Sequence, residues 1–312
     1  MPHSSPSSLL ALPASIRSLI VAQSRLQSAT PRLATAATRL GHVQTTRSYA
    51  TESTTAPQSS VNATEVSHFN TLASEWWDPH GSSRLLHLMN PLRHQFINRC
   101  LATHGGEHTT QRKYLDIGCG GGIFAESAAR LASTKSVIAV DPTPEVISVA
   151  KQHQRVDPLL LEPGRLTYRN HSIEELPLPT SPSEGFDIVS LFEVIEHIQQ
   201  PSPFLSNILQ HIKPGGWLIG STIARTSVSW FTTKFMAEEV LRMVPRGTHE
   251  WSQYIQPTEM RSWAKKEAEL DADGIGWQVM GVVYVPGLGW KEVKGSEEWG
   301  NYFFGVRKSA AH

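Results

Sequence analysis

Residues 115–122, with the sequence LDIGCGGG, have the composition of a loop that binds a nucleotide. Glycines at a turn from strand to helix let backbone NH groups approach a ligand closely. Asp141 follows roughly twenty residues later, at the end of the next predicted strand, where a carboxylate can accept hydrogen bonds from ribose hydroxyls. A dinucleotide fingerprint would need glycine at position 123, which is Ile123, so the pattern is Gly-x-Gly-x-Gly instead.

The loop and the acidic residue together suit the adenosine of S-adenosylmethionine better than they suit NAD. This cofactor needs a ribose clamp and a close backbone but no diphosphate site. A glycine loop by itself is also compatible with a simple tight turn in an α/β protein. Here a strand, the loop, a helix, a second strand and a terminal aspartate occur in order, and their agreement favours a cofactor site.

A second group of residues, Glu193, Glu196 and His197, has the spacing of neighbours on a helical turn. Two carboxylates and an imidazole on one face can hold a divalent ion, although magnesium prefers oxygen ligands, and manganese or zinc would tolerate the histidine better. The alternatives are a structural role beside the cofactor, or a free His or Glu that acts as a general base.

The elements that must position these residues follow an alternating pattern of strands and helices. Such alternation predicts an α/β fold with a doubly wound, mostly parallel sheet. Strands are predicted at 114–117, 136–140, 166–170, 186–192 and 217–222, and helices at 123–131, 143–153 and 203–211. Two later apolar stretches, 277–285 and 302–306, are the expected final strands, as an antiparallel pair at one edge.

The flanking segments are predicted to cover the cleft. Residues 50–65 have the composition of a flexible linker, and the folded domain is expected over 66–308, starting with covering helices up to residue 100. Within it, residues 228–250 are predicted to form a helical insertion with apolar and charged positions on different faces. This insertion is expected either to cap the active site or to face a membrane.

The first 49 residues have the composition of a mitochondrial presequence. No acidic residue occurs before Glu52, while arginines recur at spacings that keep them on roughly one side of a helix: Arg17, Arg25, Arg32, Arg39 and Arg47. We expect processing near Ala50 and delivery to the matrix. The alternative is an ordinary disordered basic tail.

Charge and cysteine content exclude some classes of function. The chain has 28 Lys and Arg against 28 Asp and Glu, and loss of the five presequence arginines leaves 23 against 28. A mildly acidic domain without a basic stripe disfavours nucleic acid as a partner. The two cysteines, Cys100 and Cys119, allow neither a disulfide framework nor a cysteine-rich zinc site. No apolar run is long enough to span a membrane.

Several motifs beyond the glycine loop resemble those of one family. They are FN at 69–70, SEWWD at 74–78, NPLR at 90–93, EVIEH at 193–197, KPGG at 213–216 and LRMVPRGTH at 241–249. From about Val66 to Arg307 the sequence resembles the ubiquinone biosynthesis O-methyltransferases, which are class I methyltransferases. The glycine loop and KPGG occur in many methyltransferases, whereas WWD, NPLR and RMVP are more particular.

The resemblance implies S-adenosylmethionine as the methyl donor, bound through Arg93, Gly118, Asp141 and Phe192. An arginine can hold the methionine carboxylate by two hydrogen bonds; the alternative for Arg93 is an exposed helix charge. Phe192 could pack near the adenine or simply end a buried strand.

The resemblance also implies Mg²⁺ at Glu193, Glu196 and His197. The implied acceptors are phenolic hydroxyls of polyprenylated dihydroxybenzoate and demethylubiquinol. A long prenyl tail implies peripheral contact with the matrix face of the inner membrane, and membership of a multi-subunit ubiquinone-synthesis complex is implied as well. Competing interpretations are a methyltransferase for another small molecule, and a non-catalytic cofactor-binding subunit of a quinone-synthesis complex.

Overall fold

A twisted sheet forms the centre of the computed structural model, which describes residues 59–81, 83–103, 111–226, 254–267, 269–271 and 274–310. Within these residues the sheet has nine strands. They are β1 (Arg112–Ile117), β2 (Thr134–Val140), β3 (Leu166–Arg169), β4 (Phe186–Phe192), β5 (Ile212–Ile223), β6 (Leu270–Asp271), β7 (Trp277–Val285), β8 (Gly289–Glu292) and β9 (Asn301–Lys308).

The strand order places the glycine loop at the middle of the sheet. The order is β3-β2-β1-β4-β5-β9-β7-β8, with β6 paired to β9. The first five strands in this order run parallel to one another, and β9 joins β5 antiparallel. Strand β1 lies between β2 and β4, so the carboxyl ends of these three strands meet at one edge of the sheet. This edge is where doubly wound folds bind their ligands.

Six α-helices in the described residues connect and cover the sheet. They are α1 (Ala63–Leu72), α2 (Arg84–Ala102), α3 (Ile123–Ala129), α4 (Pro144–Gln154), α5 (Pro201–Leu209) and α6 (Pro257–Ala264). Short 3₁₀ turns occur at Ala73–Glu75 and Ile195–His197. Helices α3 and α4 follow β1 and β2 directly, as expected of crossover connections.

Both faces of the central strands are buried. In β1 the neighbouring residues Tyr114 and Leu115 point to opposite faces and belong to two separate hydrophobic clusters. The first cluster includes Phe96 of α2 and the second includes Leu205 of α5. A sheet covered on both sides gives continuous apolar strands rather than alternating ones, which is why β1 and β4 could be predicted from sequence.

The predicted α/β fold is confirmed, and the differences lie at the ends of elements and in the arrangement of the last strands. Strand β5 starts at Ile212 and continues through Pro214, Gly215 and Gly216, where the sequence predicted a break. Strands β7 and β9 do pair antiparallel, but β9 is internal and β8 extends the sheet beyond β7. The first helix begins at Ala63, inside the expected linker, because Asn62 caps it by accepting a hydrogen bond from Thr64 N.

Two predicted segments, the presequence at 1–49 and the insertion at 228–250, lie outside the described residues. Among the helices of the described part, none has the length and apolar character needed to cross a membrane.

Candidate active site

The glycine loop has the backbone conformation that the sequence predicts. Gly118 has a φ of 64°, and a Cβ at this position would overlap the Val194 side chain. Gly120 has a φ of 51° and lies against the ring of Trp76 with no room for a side chain. Both glycines therefore combine a left-handed backbone with close packing, which explains why other residues do not fit.

Asp141 follows β2 and ties the glycine loop to the sheet edge. Its Oδ2 accepts a hydrogen bond from Gly120 N at 2.9 Å, and its Oδ1 accepts one from Thr143 N at 2.9 Å. Burial raises the pKa of this carboxyl, while the two backbone hydrogen bonds oppose the shift. Each carboxylate oxygen keeps a further lone pair, so Asp141 could also accept hydrogen bonds from ribose hydroxyls.

Arg93 is a buried cation without a full set of partners. It lies on α2 with 3% of its surface exposed, and its Nη1 reaches Asn90 Oδ1 only at 3.5 Å. Its Nε has no hydrogen-bond partner among the described residues. Burial lowers the pKa of the guanidinium, and the carboxylates of Glu193 and Asp116 partly offset this. Such a group is suited to receive a carboxylate from a ligand.

Phe192 ends β4 beneath Arg93, whose Cζ lies 4.9 Å from the ring centroid. The ring also contacts Phe124 edge-on, with centroids 4.7 Å apart. Strand β1 separates β4 from β2, and neighbouring strands lie about 4.8 Å apart, so Phe192 and Asp141 are about 10 Å apart along the sheet edge. The site therefore has an Arg93–Phe192 end and an Asp141 end, with the glycine loop between them.

Asp116, the second residue of the 115–122 segment, was assigned no role from the sequence. Its Oδ1 accepts a hydrogen bond of 2.6 Å from Ser190 Oγ on the neighbouring β4. Burial raises the pKa of Asp116 to about 7, against the opposing effects of Ser190 and Arg93. Its position beside a glycine loop at a strand end was a usable signal, but the pairing with Ser190 depends on strand order.

The Glu-Glu-His group does not share one helical face, so that prediction is wrong. Glu193 lies before the 3₁₀ turn Ile195–His197 and has a φ of 57°. Its Oε1 accepts a hydrogen bond from Ser221 Oγ at 2.6 Å, whereas Glu196 Oε2 accepts one from Thr222 Oγ1 at 2.9 Å. Both carboxylates thus bind hydroxyls of β5.

His197 instead pairs with a residue of the first helix. Its Nδ1 lies 2.9 Å from Oε2 of Glu65 on α1. Burial lowers the pKa of His197, but the hydrogen bond with Glu65 and the nearby Glu196 carboxylate raise it above its usual value. The same hydrogen bond lowers the pKa of Glu65. Burial and the neighbouring Glu193 raise the pKa of Glu196 to about 7.

These contacts do not fit a metal centre. Within the part of the chain that the structure describes, no three His, Cys, Asp or Glu side chains are grouped so as to hold an ion. Glu193, Glu196 and His197 each use a ligating atom for a protein partner, and the Glu196 carboxyl favours its protonated form relative to an ordinary glutamate. In this arrangement the three side chains do not converge on a common position for an ion.

The strand order, the glycine loop and Asp141 define a class I methyltransferase. A family model described as a methyltransferase domain matches residues 85–271. Among solved structures, magnesium protoporphyrin IX methyltransferase from Synechocystis has a TM-score of 0.50 at 13% identity, covering 80% of this chain and all of that one. That likeness concerns the fold.

Sequence relatives define the family more closely. The ubiquinone biosynthesis O-methyltransferase of Candida albicans mitochondria is 37% identical over 80% of this chain and 86% of its own. Its Schizosaccharomyces pombe counterpart, also mitochondrial, is 44% identical over 73% and 77%. The enzyme of that name from Hahella chejuensis is 38% identical over 76% and 91%. The chain belongs to the ubiquinone biosynthesis O-methyltransferase family and is an enzyme that transfers methyl groups.

Proposed function

We propose that this enzyme transfers a methyl group from S-adenosylmethionine to a phenolic hydroxyl of a polyprenylated dihydroxybenzoate or demethylubiquinol. The observation that carries the proposal is the buried guanidinium of Arg93, whose Nε has no partner in the described part of the chain, across the glycine loop from Asp141. A cofactor with a carboxylate at one end and a ribose in its middle matches this spacing of charges.

The cofactor would lie along the carboxyl ends of β4, β1 and β2. Arg93 would bind the methionine carboxylate, and the backbone at Gly118 and Gly120 would line the centre of the cofactor site. Asp141 would accept hydrogen bonds from the ribose hydroxyls. The adenine then extends beyond Asp141 toward β3. In this placement Phe192 supports the methionine end rather than the adenine, because it lies under Arg93 on β4.

The acceptor phenol must lose its proton near neutral pH, since a free phenol has a pKa of about 10. Besides Asp116, the described titratable groups near the methionine end are the cluster of Glu193, Glu196 and His197, with Glu65 behind the histidine. We assign the proton acceptor to this cluster. The remaining contribution is alignment, because displacement at the methyl carbon needs the sulfonium and the oxygen in line; such positioning supplies on the order of 7–11 kcal/mol in favourable cases.

Magnesium at Glu193, Glu196 and His197 stays a prediction from the family resemblance. The proposed transfer does not require the ion, because the proton acceptor is assigned to a side chain. In the structure the three side chains bind Ser221, Thr222 and Glu65. When bound beside a catechol, a divalent ion would supply phenolate stabilisation.

The proposed location is the mitochondrion, on the matrix face of the inner membrane. The acid-free, arginine-rich N-terminus and the mitochondrial names of the two fungal relatives support a mitochondrial destination. A prenylated acceptor would require peripheral membrane contact, for which residues 228–250 are the proposed surface. Membership of a ubiquinone-synthesis complex is part of the same proposal.

The test is methyl transfer from labelled S-adenosylmethionine to a short-tailed dihydroxybenzoate and a demethylubiquinol analogue, with EDTA and with added magnesium. Transfer to either acceptor supports the proposal. Cofactor binding without transfer to either would favour another acceptor or a non-catalytic subunit. Loss of transfer in EDTA, restored by magnesium, would support a divalent ion in the reaction, with Glu193, Glu196 and His197 as the ligands that the family resemblance implies. Transfer that ignores EDTA leaves these residues in acid–base or structural roles.

A further inference from the structure

The segment between α1 and α2 makes a direct bond to the glycine loop. Trp77, just after the 3₁₀ turn Ala73–Glu75, donates a hydrogen bond from Nε1 to the carbonyl oxygen of Gly121 at 2.9 Å. Asp141 holds the neighbouring Gly120 through its NH. The loop is therefore fixed from two sides, by an acceptor on the sheet and by a donor on the covering segment.

The adjacent Trp76 reinforces this contact by packing. Its ring lies so close to Gly120 and Gly121 that a Cβ on either glycine would overlap it. Its backbone carbonyl is held by His87 of α2, with Nε2 2.9 Å from the oxygen. The covering segment is consequently bonded both to the loop beneath it and to the helix that carries Arg93.

The Trp77 ring rests on a polar support that the proposed reaction does not use. It stacks face to face on the imidazole of His153, with ring centroids 3.4 Å apart and planes within 3°. His153 Nδ1 lies 2.9 and 3.0 Å from the two carboxylate oxygens of Glu126, so the imidazole donates to an acceptor-only group. The Glu126 side chain is fully buried and also accepts from Arg130 Nη2 at 2.8 Å.

Glu126 lies on α3, the helix that begins directly after the glycine loop. The chain of contacts therefore closes a ring: loop, Trp77, His153, Glu126, and back along α3 to the loop. A buried carboxylate is costly unless it is bonded, and here its bonds fix the ring on which Trp77 stacks. If α4 only packed against the covering segment, neither the buried carboxylate of Glu126 nor the indole NH of Trp77 would be needed.

From this geometry we propose that Trp77 is a positioning residue of the cofactor site, supported by His153 and Glu126. Its indole NH fixes the Gly121 carbonyl and so orients the peptide groups of the loop toward the cofactor. The inference rests on the proposed use of S-adenosylmethionine and adds a determinant of cofactor affinity that does not contact the acceptor.

The first variant is Trp77→Phe, which removes the NH donor and keeps an aromatic ring over His153. Cofactor affinity is measured by calorimetry with S-adenosylmethionine on the full-length protein. The dissociation constant should rise about threefold to tenfold, the range expected for one lost hydrogen bond. The kcat at saturating cofactor should stay within about twofold of wild type, because the acceptor side of the site is unchanged.

Trp290→Phe is the matched control. Trp290 Nε1 donates a bond of the same 2.9 Å length to the carbonyl of Leu85, away from the glycine loop. This variant should lose thermal stability to a similar degree without a change in cofactor affinity. Equal affinity losses in both variants, or no loss in Trp77→Phe, would overturn the inference.

A second variant, His153→Gln, tests the support. Glutamine can still donate to Glu126 but provides no flat ring for stacking. Cofactor affinity should fall, and the double variant with Trp77→Phe should lose less than the product of the two single effects, because the residues act as one unit. Independent effects would overturn the coupling. If wild-type protein binds no S-adenosylmethionine, the proposed function fails first; if wild type binds and the variants bind equally well, only this inference fails.

Discussion

At the scale of single residues, Arg93 is held in the cleft at an electrostatic cost. Its surface is 3% exposed, and no salt-bridge partner lies within reach among the described residues, while Asp116 and Glu193 act only from a distance. A buried cation that is not fully compensated destabilises the protein until a ligand arrives. We interpret this as a cost that binding of the methionine carboxylate offsets.

Arg93→Met should therefore separate function from stability. The dissociation constant for S-adenosylmethionine is expected to rise roughly tenfold to a hundredfold, the range for a lost hydrogen bond to a charged group. Without cofactor, the melting temperature should be unchanged or higher, because a desolvated charge is removed. Calorimetry and thermal melts check the two effects. Arg99→Met, on the same helix but in an exposed pair with Glu292, is the control and should keep its affinity. An unchanged affinity in Arg93→Met would contradict the assignment.

Asp116 should make stability dependent on pH. Its pKa rises from 3.8 to about 7 on folding because of burial, so its contribution to stability is complete below the unfolded value and is lost as pH rises through about 7. Between pH 5 and pH 8 this loss amounts to about 3 kcal/mol.

Asp116→Asn keeps an oxygen for Ser190 and removes the ionisation. The melting temperature of the variant relative to wild type should be roughly 5 °C or more higher at pH 8 than at pH 5, because the buried wild-type carboxyl ionises over this range. Thermal melts across this pH range measure the difference; other titrating groups, Glu196 among them, are common to both proteins. A melting difference that does not change with pH would contradict the assignment to Asp116.

At the scale of elements, the glycine loop joins β1 to α3 through positions that combine a left-handed backbone with close contact. Gly118 meets Val194, which follows β4, so the loop conformation and the approach of the neighbouring strand end depend on each other. This arrangement positions backbone NH groups without any side chain, which is why affinity should be sensitive to a single added methyl.

Gly118→Ala is expected to destabilise the fold by about 2–4 kcal/mol and to weaken cofactor binding more than tenfold, since strain and overlap add. Gly164→Ala is a matched control: its φ is 78°, but nothing lies within 4 Å of an added Cβ. It should cost about 1 kcal/mol through the backbone alone and leave affinity unchanged. Urea unfolding and calorimetry distinguish the two. Equal effects in the two variants would mean that contact with Val194 is unimportant.

At the scale of the whole molecule, the balance of charge limits how the enzyme could meet a membrane. Without its first 49 residues the chain has more acidic than basic side chains. Electrostatic attraction to anionic lipid is then weak, and contact would depend on apolar side chains of the predicted surface at 228–250, which lies outside the described residues.

Phe231→Ser combined with Phe235→Ser tests this surface. The double variant should float less with vesicles of phosphatidylcholine and cardiolipin, because burial of apolar area is lost. Its transfer to a short-tailed acceptor should stay near that of wild type. Flotation that is unchanged, or that disappears with added salt alone, would argue against apolar insertion at this segment.

The sequence by itself determined the class of fold and the position of the glycine loop. Residues 115–122 and Asp141 each sit at the end of a strand, and parallel strands connected by helices bring such ends to one edge. The first and last residues of β4 and β7 were predicted correctly, because a long apolar run bounded by turn residues can be recognised from the local sequence alone.

Only the tertiary structure decided which partners the chemical groups have. Glu65 pairs with His197, Ser190 with Asp116, and Trp77 with Gly121, each across a distance in the chain that no local pattern encodes. The helical spacing of Glu193, Glu196 and His197 was misleading for the same reason, since Glu193 lies outside the turn in a left-handed conformation. Spacing specifies a shared face only where the backbone conformation is uniform. At Glu193 it is not, because the NH of this residue bonds to the carbonyl of Ser221 on β5 rather than within the turn.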